Sequence, residues 1–187
     1  MSRWSFEVLK YYLLDVATVV GQTVLNDVDD DITDLDEIST AERYRVYGVD
    51  DRLSTAGADF LQGVGNPIVI SNVAWEVMQL CGLAENLSLP VEVVNDSGIV
   101  QRTDTQFVLF KESYEIADEV NLDAYHNQRT SVFMAGKQRP PIVSGELLPS
   151  FDLFRAFRLS CVCTERFKNV VLEHFLIGVK FHEVKVV

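Results

Sequence analysis

Residues 159–187 read LSCVCTERFKNVVLEHFLIGVKFHEVKVV, and this stretch decides the fold. Leu159 to Cys163 is a compact apolar run with the composition of a strand, in which Cys161 and Cys163 flank Val162 and so share one face. Thr164 follows as an N-cap whose hydroxyl can take a free backbone N–H of a helix. Phe167, Val170, Val171 and Phe175 recur at helical spacing, while Glu165, Arg166, Lys168, Asn169 and Glu173 fill the opposite face. After Ile177 and Gly178 the period becomes two: Ile177, Val179 and Phe181 point one way, Gly178, Lys180 and His182 the other. The phase slips between Phe181 and Val184, which predicts a bulge or the end of the strand. The stretch is scaffold, a strand–helix–strand unit with no evident catalytic group.

Residues 68–94 repeat this plan. Ile68 to Ile70 predicts an apolar strand, Ser71 or Asn72 an N-cap, and Val73, Val77, Leu80 and Cys81 a helical stripe that Gly82 ends in the left-handed conformation. Leu87, Leu89, Val91 and Val93 then alternate as a strand, with Pro90 favouring an edge or an early position. The sequence Asn95-Asp96-Ser97-Gly98 is turn chemistry. It leads to Ile99–Val100 and, past Arg102 to Asp104, to a strand at Gln106 to Phe110 with both faces buried. At the other end of the chain, aromatic and β-branched residues predict a strand for Phe6 to Leu14. Tyr44, Val46 and Tyr47 predict a short one. The expectation is an α+β (mixed α/β) fold: a single compact domain over residues 1–187, with a mixed sheet and strand–helix–strand units at about 68–94 and 159–186.

Charge narrows the range of partners. The 187 residues carry 28 acidic and 16 basic side chains, a formal −12. Such a chain repels nucleic-acid phosphates and anionic lipid and suits a basic protein partner. The first sixty residues hold 13 acids and 5 bases, which marks them as an acidic N-terminal lobe beside a core from residue 61 onward. The densest part is DVDDDITDLDE, where Asp27, Asp29, Asp30, Asp31, Asp34, Asp36 and Glu37 form the candidate partner-binding surface. Asp27, Asp29 and Asp31 fall at positions one, three and five of a calcium loop, but Ile32 stands where that loop needs Gly and Ile38 where it needs a bidentate Glu. The run therefore reads as solvated acid rather than as a metal site.

Catalytic motifs are scarce. Three cysteines outside a small loop-rich framework point to a reducing compartment, and no hydrophobic stretch reads as a leader or a membrane span, so a cytoplasmic location is expected. The Gly63–Gly65 pair lacks the third glycine and the following helix of a dinucleotide fingerprint. Only His126, His174 and His182 are available as imidazoles. Two alternatives to a binding role remain on the residues: a thiol enzyme pairing Cys163 with His174, and a zinc site from Cys161, Cys163, His174 and His182. The zinc spacing is that of no standard finger or ribbon. The expectation is no catalytic residue, no metal and no cofactor.

Five motifs carry a resemblance. They are NPIVISNVAWEVMQLCGL at residues 66–83, LPVEVV at 89–94, NLDAYHNQRTS at 121–131, DLFR at 152–155 and VVLEHFLIGVKFHEV at 170–184. In their order and spacing the chain resembles the immunity-protein family (Imm group eleven, formerly a domain of unknown function) of bacterial polymorphic toxin systems, from roughly residue 60 onward. The resemblance implies a non-enzymatic cytoplasmic protein that binds and neutralises a cognate toxin. The acidic N-terminal surface would then meet a basic toxin face, with Trp4, Tyr44, Tyr47 or Tyr125 as candidate aromatic anchors. A general interaction adaptor is the remaining alternative.

Overall fold

A computed structural model describes residues 9–16, 25–28, 44–48, 57–62, 68–94, 97–110, 113–118, 121–123, 125, 141–156 and 160–187. Its class is α+β. Thirteen strands are described, and they form a five-stranded, a six-stranded and a two-stranded sheet. The chain divides into two compact units, both discontinuous in sequence. Unit 1 comprises Met1–Leu14, Ser113–Lys168 and Phe181–Val187, and unit 2 comprises Asp15–Glu112 and Asn169–Lys180.

Unit 1 is built on β1 (Tyr11–Val16), β8 (Ser113–Tyr114), β10 (Leu153–Ala156), β11 (Ser160–Thr164) and β12 (Val179–Glu183), in the order β12-β1-β11-β10-β8. The expected strand at Leu159–Cys163 is β11, paired antiparallel to both β1 and β10. The N-terminal strand is found at Tyr11–Val16, later than expected, and Phe6 and Val8 lie outside the described residues. Tyr11, Tyr12, Leu13 and Leu14 are all buried, because both faces of β1 are covered: Tyr11 and Leu13 lie in the Phe154 cluster, while Tyr12 donates its hydroxyl to Glu165 Oε1 at 3.3 Å and has Lys168 over its ring.

One face of this sheet carries Tyr11, Leu13, Phe154, Ala156 and Val162 into a cluster with Ile116, Leu122, Val143 and Val184. The cluster is closed by the short pair β9 (Ile142–Val143) and β13 (Lys185–Val186). Tyr11 and Tyr114 set their rings edge-on to Phe154 there. The expected break after Phe181 is real: β12 ends at Glu183, and Val184 turns inward with its N–H donated to Tyr11 O at 2.9 Å.

Unit 2 is built on a mixed sheet in the order β2-β3-β6-β7-β5-β4. Its strands are β2 (Leu25–Val28), β3 (Tyr44–Gly48), β4 (Phe60–Gln62), β5 (Ile68–Ser71), β6 (Leu87–Val94) and β7 (Val100–Leu109). β3 runs parallel to β6 and the other pairs are antiparallel. The two strand segments expected after the Asn95–Gly98 turn are one strand, β7. Arg102 to Asp104 continue it because the guanidinium of Arg102 is satisfied locally, by both carboxylate oxygens of Asp104 at 2.8 Å and by the carbonyl of Ala58 at 2.5 Å. Leu61, Val69, Leu89, Val91, Val93, Phe107 and Leu109 fill one face. The other face receives α1 (Asn72–Leu80), tied by Gln106 Nε2 to Asn72 Oδ1 at 2.9 Å.

Both strand–helix–strand units are present, as β5–α1–β6 and as β11–α2–β12, where α2 is Glu165–Glu173. In each, one strand lies between the two that the helix connects, β7 in the first and β1 in the second. Of the two expected caps of α1, Ser71 is the one formed: its Oγ accepts from Ala74 N–H at 3.0 Å. Thr164 caps α2 in the same way, accepting from Phe167 N–H at 3.3 Å.

The expected helical stripe of α1 is out of phase. Ala74 and Met78 are its buried residues, and Val73 and Leu80 face solvent. Small Ala74 lets the helix approach the sheet and Met78 fills the remaining gap, so the two residues least suggestive of a stripe form it. Phe175 is also misplaced in the reading by periodicity. It lies beyond the end of α2 and outside the core, whereas Phe167 and Val171 are fully buried as expected.

Candidate functional site

Among the chemistry-bearing residues of 159–187, Cys161 and Cys163 are buried and His174 is exposed. Cys161 and Cys163 do share a face of β11, opposite the cluster around Phe154, and both have no exposed surface. Burial pushes the Cys161 thiol up to about 12, against a small opposing effect of Arg155. Burial raises Cys163 well above its ordinary value too, helped by the neighbouring Cys161. A thiol held neutral in a dry core is a packing group, not a nucleophile. The burial of Cys163 counts against its use as the nucleophile of the thiol-enzyme alternative.

His174 meets Cys81, with Nε2 and Sγ at 3.9 Å. The zinc quartet is likewise not assembled: among the described residues no three metal-ligating side chains are grouped. His126 lies outside the described residues, and His182 is exposed on β12.

The Cys81–His174 contact joins the C-terminal ends of the two helices, and the two ends have the same backbone design. In α1, Gly82 N–H donates to Gln79 O at 3.1 Å and Leu83 N–H to Met78 O at 2.8 Å. In α2, Phe175 N–H donates to Leu172 O at 3.2 Å and Leu176 N–H to Val171 O at 3.0 Å. Each is a Schellman closure, with Leu83 buried beside Met78 in one and Leu176 beside Val171 in the other. The motif requires a left-handed residue. Gly82 supplies it at φ +65° and Phe175 at φ +54°. Glycine adopts that conformation freely, whereas a residue with a Cβ is strained there by about 1 kcal/mol.

Just beyond, Asp59 fastens the segment after α2. Its backbone N–H and that of Phe60 both donate to Ile177 O, at 2.9 and 3.2 Å, and its Oδ2 accepts from Ile177 N–H at 2.9 Å. Its Oδ1 accepts from Ser71 Oγ at 2.6 Å, so one carboxylate links the cap of α1 to the exit of α2. Nothing in the local sequence singles out Asp59; only the fold brings it to Ile177.

Of the expected partner-binding acids, Asp27 falls on the backbone of β2, and Asp29, Asp30, Asp31, Asp34, Asp36 and Glu37 lie outside the described residues. Trp4 does as well, and Tyr44 and Tyr47 are placed on β3 by backbone only. Tyr125 is half-buried against the Phe154 cluster, which makes it a core residue rather than an exposed anchor.

The division into units sharpens the charge asymmetry. Unit 2 holds 19 acidic and 6 basic residues, a net −13, while unit 1 holds 9 acidic and 10 basic, a net +1. The chain's net negative charge thus belongs entirely to the unit that contains the two helix ends. No described helix is long and apolar enough to cross a membrane. Compared with known proteins, the chain matches no family model and no curated protein.

Proposed function

We propose that the protein is a non-enzymatic immunity protein, which binds and neutralises a cognate protein toxin in the cytoplasm through the acidic unit 2. The observation that carries this reading is the segregation of charge, −13 on one unit against +1 on the other. A surface of one sign steers a partner of the opposite sign and selects against others. The resemblance of residues 66–184 to the immunity family supplies the class of partner, and the burial of Cys161 and Cys163 speaks for a binding role over thiol chemistry. The acidic run at Asp27 to Glu37 contributes to the net charge of unit 2.

The test is a pull-down from the native cell lysate at low and moderate salt, followed by toxicity rescue. One basic protein should be recovered, and its expression alone should arrest growth that co-expression restores. Converting Asp29, Asp30, Asp31, Asp34, Asp36 and Glu37 to their amides should slow association at least about tenfold at low salt and matter less as salt rises. Recovery of no basic protein, or recovery of one that is harmless when expressed alone, overturns the reading.

A further inference from the structure

We propose that the joined C-terminal ends of α1 and α2 are the docking surface for a basic protein partner, with Phe175 as the central anchor and Leu80 beside it. The proposal rests on the toxin-binding reading for the partner's class; the location is argued from the structure. Leu80 and Phe175 are each 86% exposed, the most exposed of the large apolar side chains described, and Leu172 is exposed as well. Leu80 adjoins Cys81 and Phe175 adjoins His174 in the chain, so each is next to one member of the Cys81–His174 contact. Single exposed apolar residues are ordinary; two at this level flanking one tertiary contact are not.

The backbone adds an independent observation. Phe175 occupies the position at which the twin motif in α1 has Gly82, and its left-handed conformation is strained for phenylalanine. Neither packing nor the Schellman bonds require an aromatic ring there, since the side chain is in solvent and the motif needs only a backbone N–H. A strained residue presenting a large exposed ring is accounted for by something the ring binds. Aromatic side chains in that role dominate the energy of protein interfaces.

Charge identifies the occupant. Glu76 lies one turn before Leu80 on α1, Glu173 is exposed two residues before Phe175, and Glu85 follows the end of α1. The unit around them is net −13. An apolar centre with an acidic rim fits a protein face with an apolar pocket ringed by Lys and Arg, and disfavours a second copy of this equally acidic unit.

The experiment compares wild type, Phe175→Gly, Phe175→Ala and Leu80→Ser, as purified full chains, in thermal melts and as baits in the native lysate with mass-spectrometric quantification. Phe175→Gly should melt about 2–4 °C higher, because strain is relieved, yet retain at least about tenfold less of the one basic protein that wild type holds. Phe175→Ala should lose the same partner without that gain in melting temperature. Leu80→Ser should also lose it. A more stable protein that binds less is an outcome that a purely structural role for Phe175 does not produce. Equal retention of the basic protein by all four baits overturns this docking surface and leaves the toxin-binding reading standing. Retention of no protein by wild type overturns both. If sedimentation shows wild type self-associating and Phe175→Gly monomeric, the occupant is a second copy and the basic partner is wrong.

Discussion

Asp59 and Ile177, 118 residues apart, hold each other reciprocally: Asp59 N–H donates to Ile177 O and Ile177 N–H donates to Asp59 Oδ2, both at 2.9 Å. The second carboxylate oxygen of Asp59 takes the hydroxyl of Ser71, which itself caps α1. Asp59→Ala removes two acceptors that serve one main-chain and one hydroxyl donor. It should destabilise the protein by about 2 kcal/mol and expose the Ile177 amide to rapid hydrogen exchange. Asp59→Asn keeps one acceptor and should fall between the two. Thermal melts and amide exchange check this order, and unaltered protection of Ile177 in Asp59→Ala would show that the segment after α2 is held by other means.

Asp152 performs a related task at the start of α2. It is buried, accepts from the hydroxyl of Thr164, takes Arg166 Nη1 at 2.6 Å, and gives its carbonyl to Thr164 N–H at 3.0 Å. Thr164 meanwhile caps the helix through Phe167 N–H. Thr164→Ala should cost about 1 kcal/mol for the lost cap, and Asp152→Ala about 2 kcal/mol for its charge-assisted hydrogen bonds. Because the hydroxyl is oriented by the carboxylate, the double variant should fall short of the sum by at least about 0.5 kcal/mol. Strict additivity in denaturant melts would mean that Asp152 and Thr164 act separately.

Arg102 pairs with Asp104 through two parallel hydrogen bonds at 2.8 Å while donating to Ala58 O. The hydrogen bonds from Arg102 hold the Asp104 carboxyl below its ordinary value, against the opposing effect of partial burial. A lowered value in the folded state stabilises it above the unfolded value, and that contribution is lost as pH falls. Asp104 is largely exposed, so the effect on stability is small and the titration itself is the better readout. Arg102→Met should return the Asp104 titration, followed by NMR, to the ordinary carboxylate range; an unmoved midpoint would assign the shift to the backbone instead.

Much of this fold is legible in residue order. Thr164 and Ser71 announce helix starts, Gly82 announces a helix end, and the alternation around Cys161, Val162 and Cys163 announces a strand that buries both cysteines. These are local effects, set by chemistry within four or five residues. What misleads is phase and tertiary context. Val73 and Leu80 look like core because they are apolar, but the sheet takes Ala74 and Met78. Phe175 continues an apolar stripe by spacing, yet Leu176 is the residue that turns back to bury itself beside Val171, and the ring is left in solvent. The pairing of Cys81 with His174 is hidden for the same reason: 93 residues separate them, and no local spacing links one to the other.

The thiols give a pH dependence whose direction is determined by burial. Cys161 titrates at about 12 in the folded chain and Cys163 well above its ordinary value, whereas the ordinary thiol value is 9.0. Well below pH 9 both states keep these protons and the thiols add no slope. Above it the unfolded chain releases them first, so stability falls with rising pH, by at most about 1.4 kcal/mol per pH unit for each thiol, until the folded thiols ionise as well. Replacing Cys161 with Ala should flatten the decline between about pH 9 and 12, even where it lowers stability at neutral pH by opening a small cavity. Thiol labelling with an aromatic disulfide gives the companion result. At pH 8 the native protein should react at Cys81 alone, partly exposed beside His174, and at all three cysteines once unfolded. Rapid native labelling of Cys161 or Cys163 would mean that β11 opens far more readily than its burial implies, and would restore a reactive thiol to that strand.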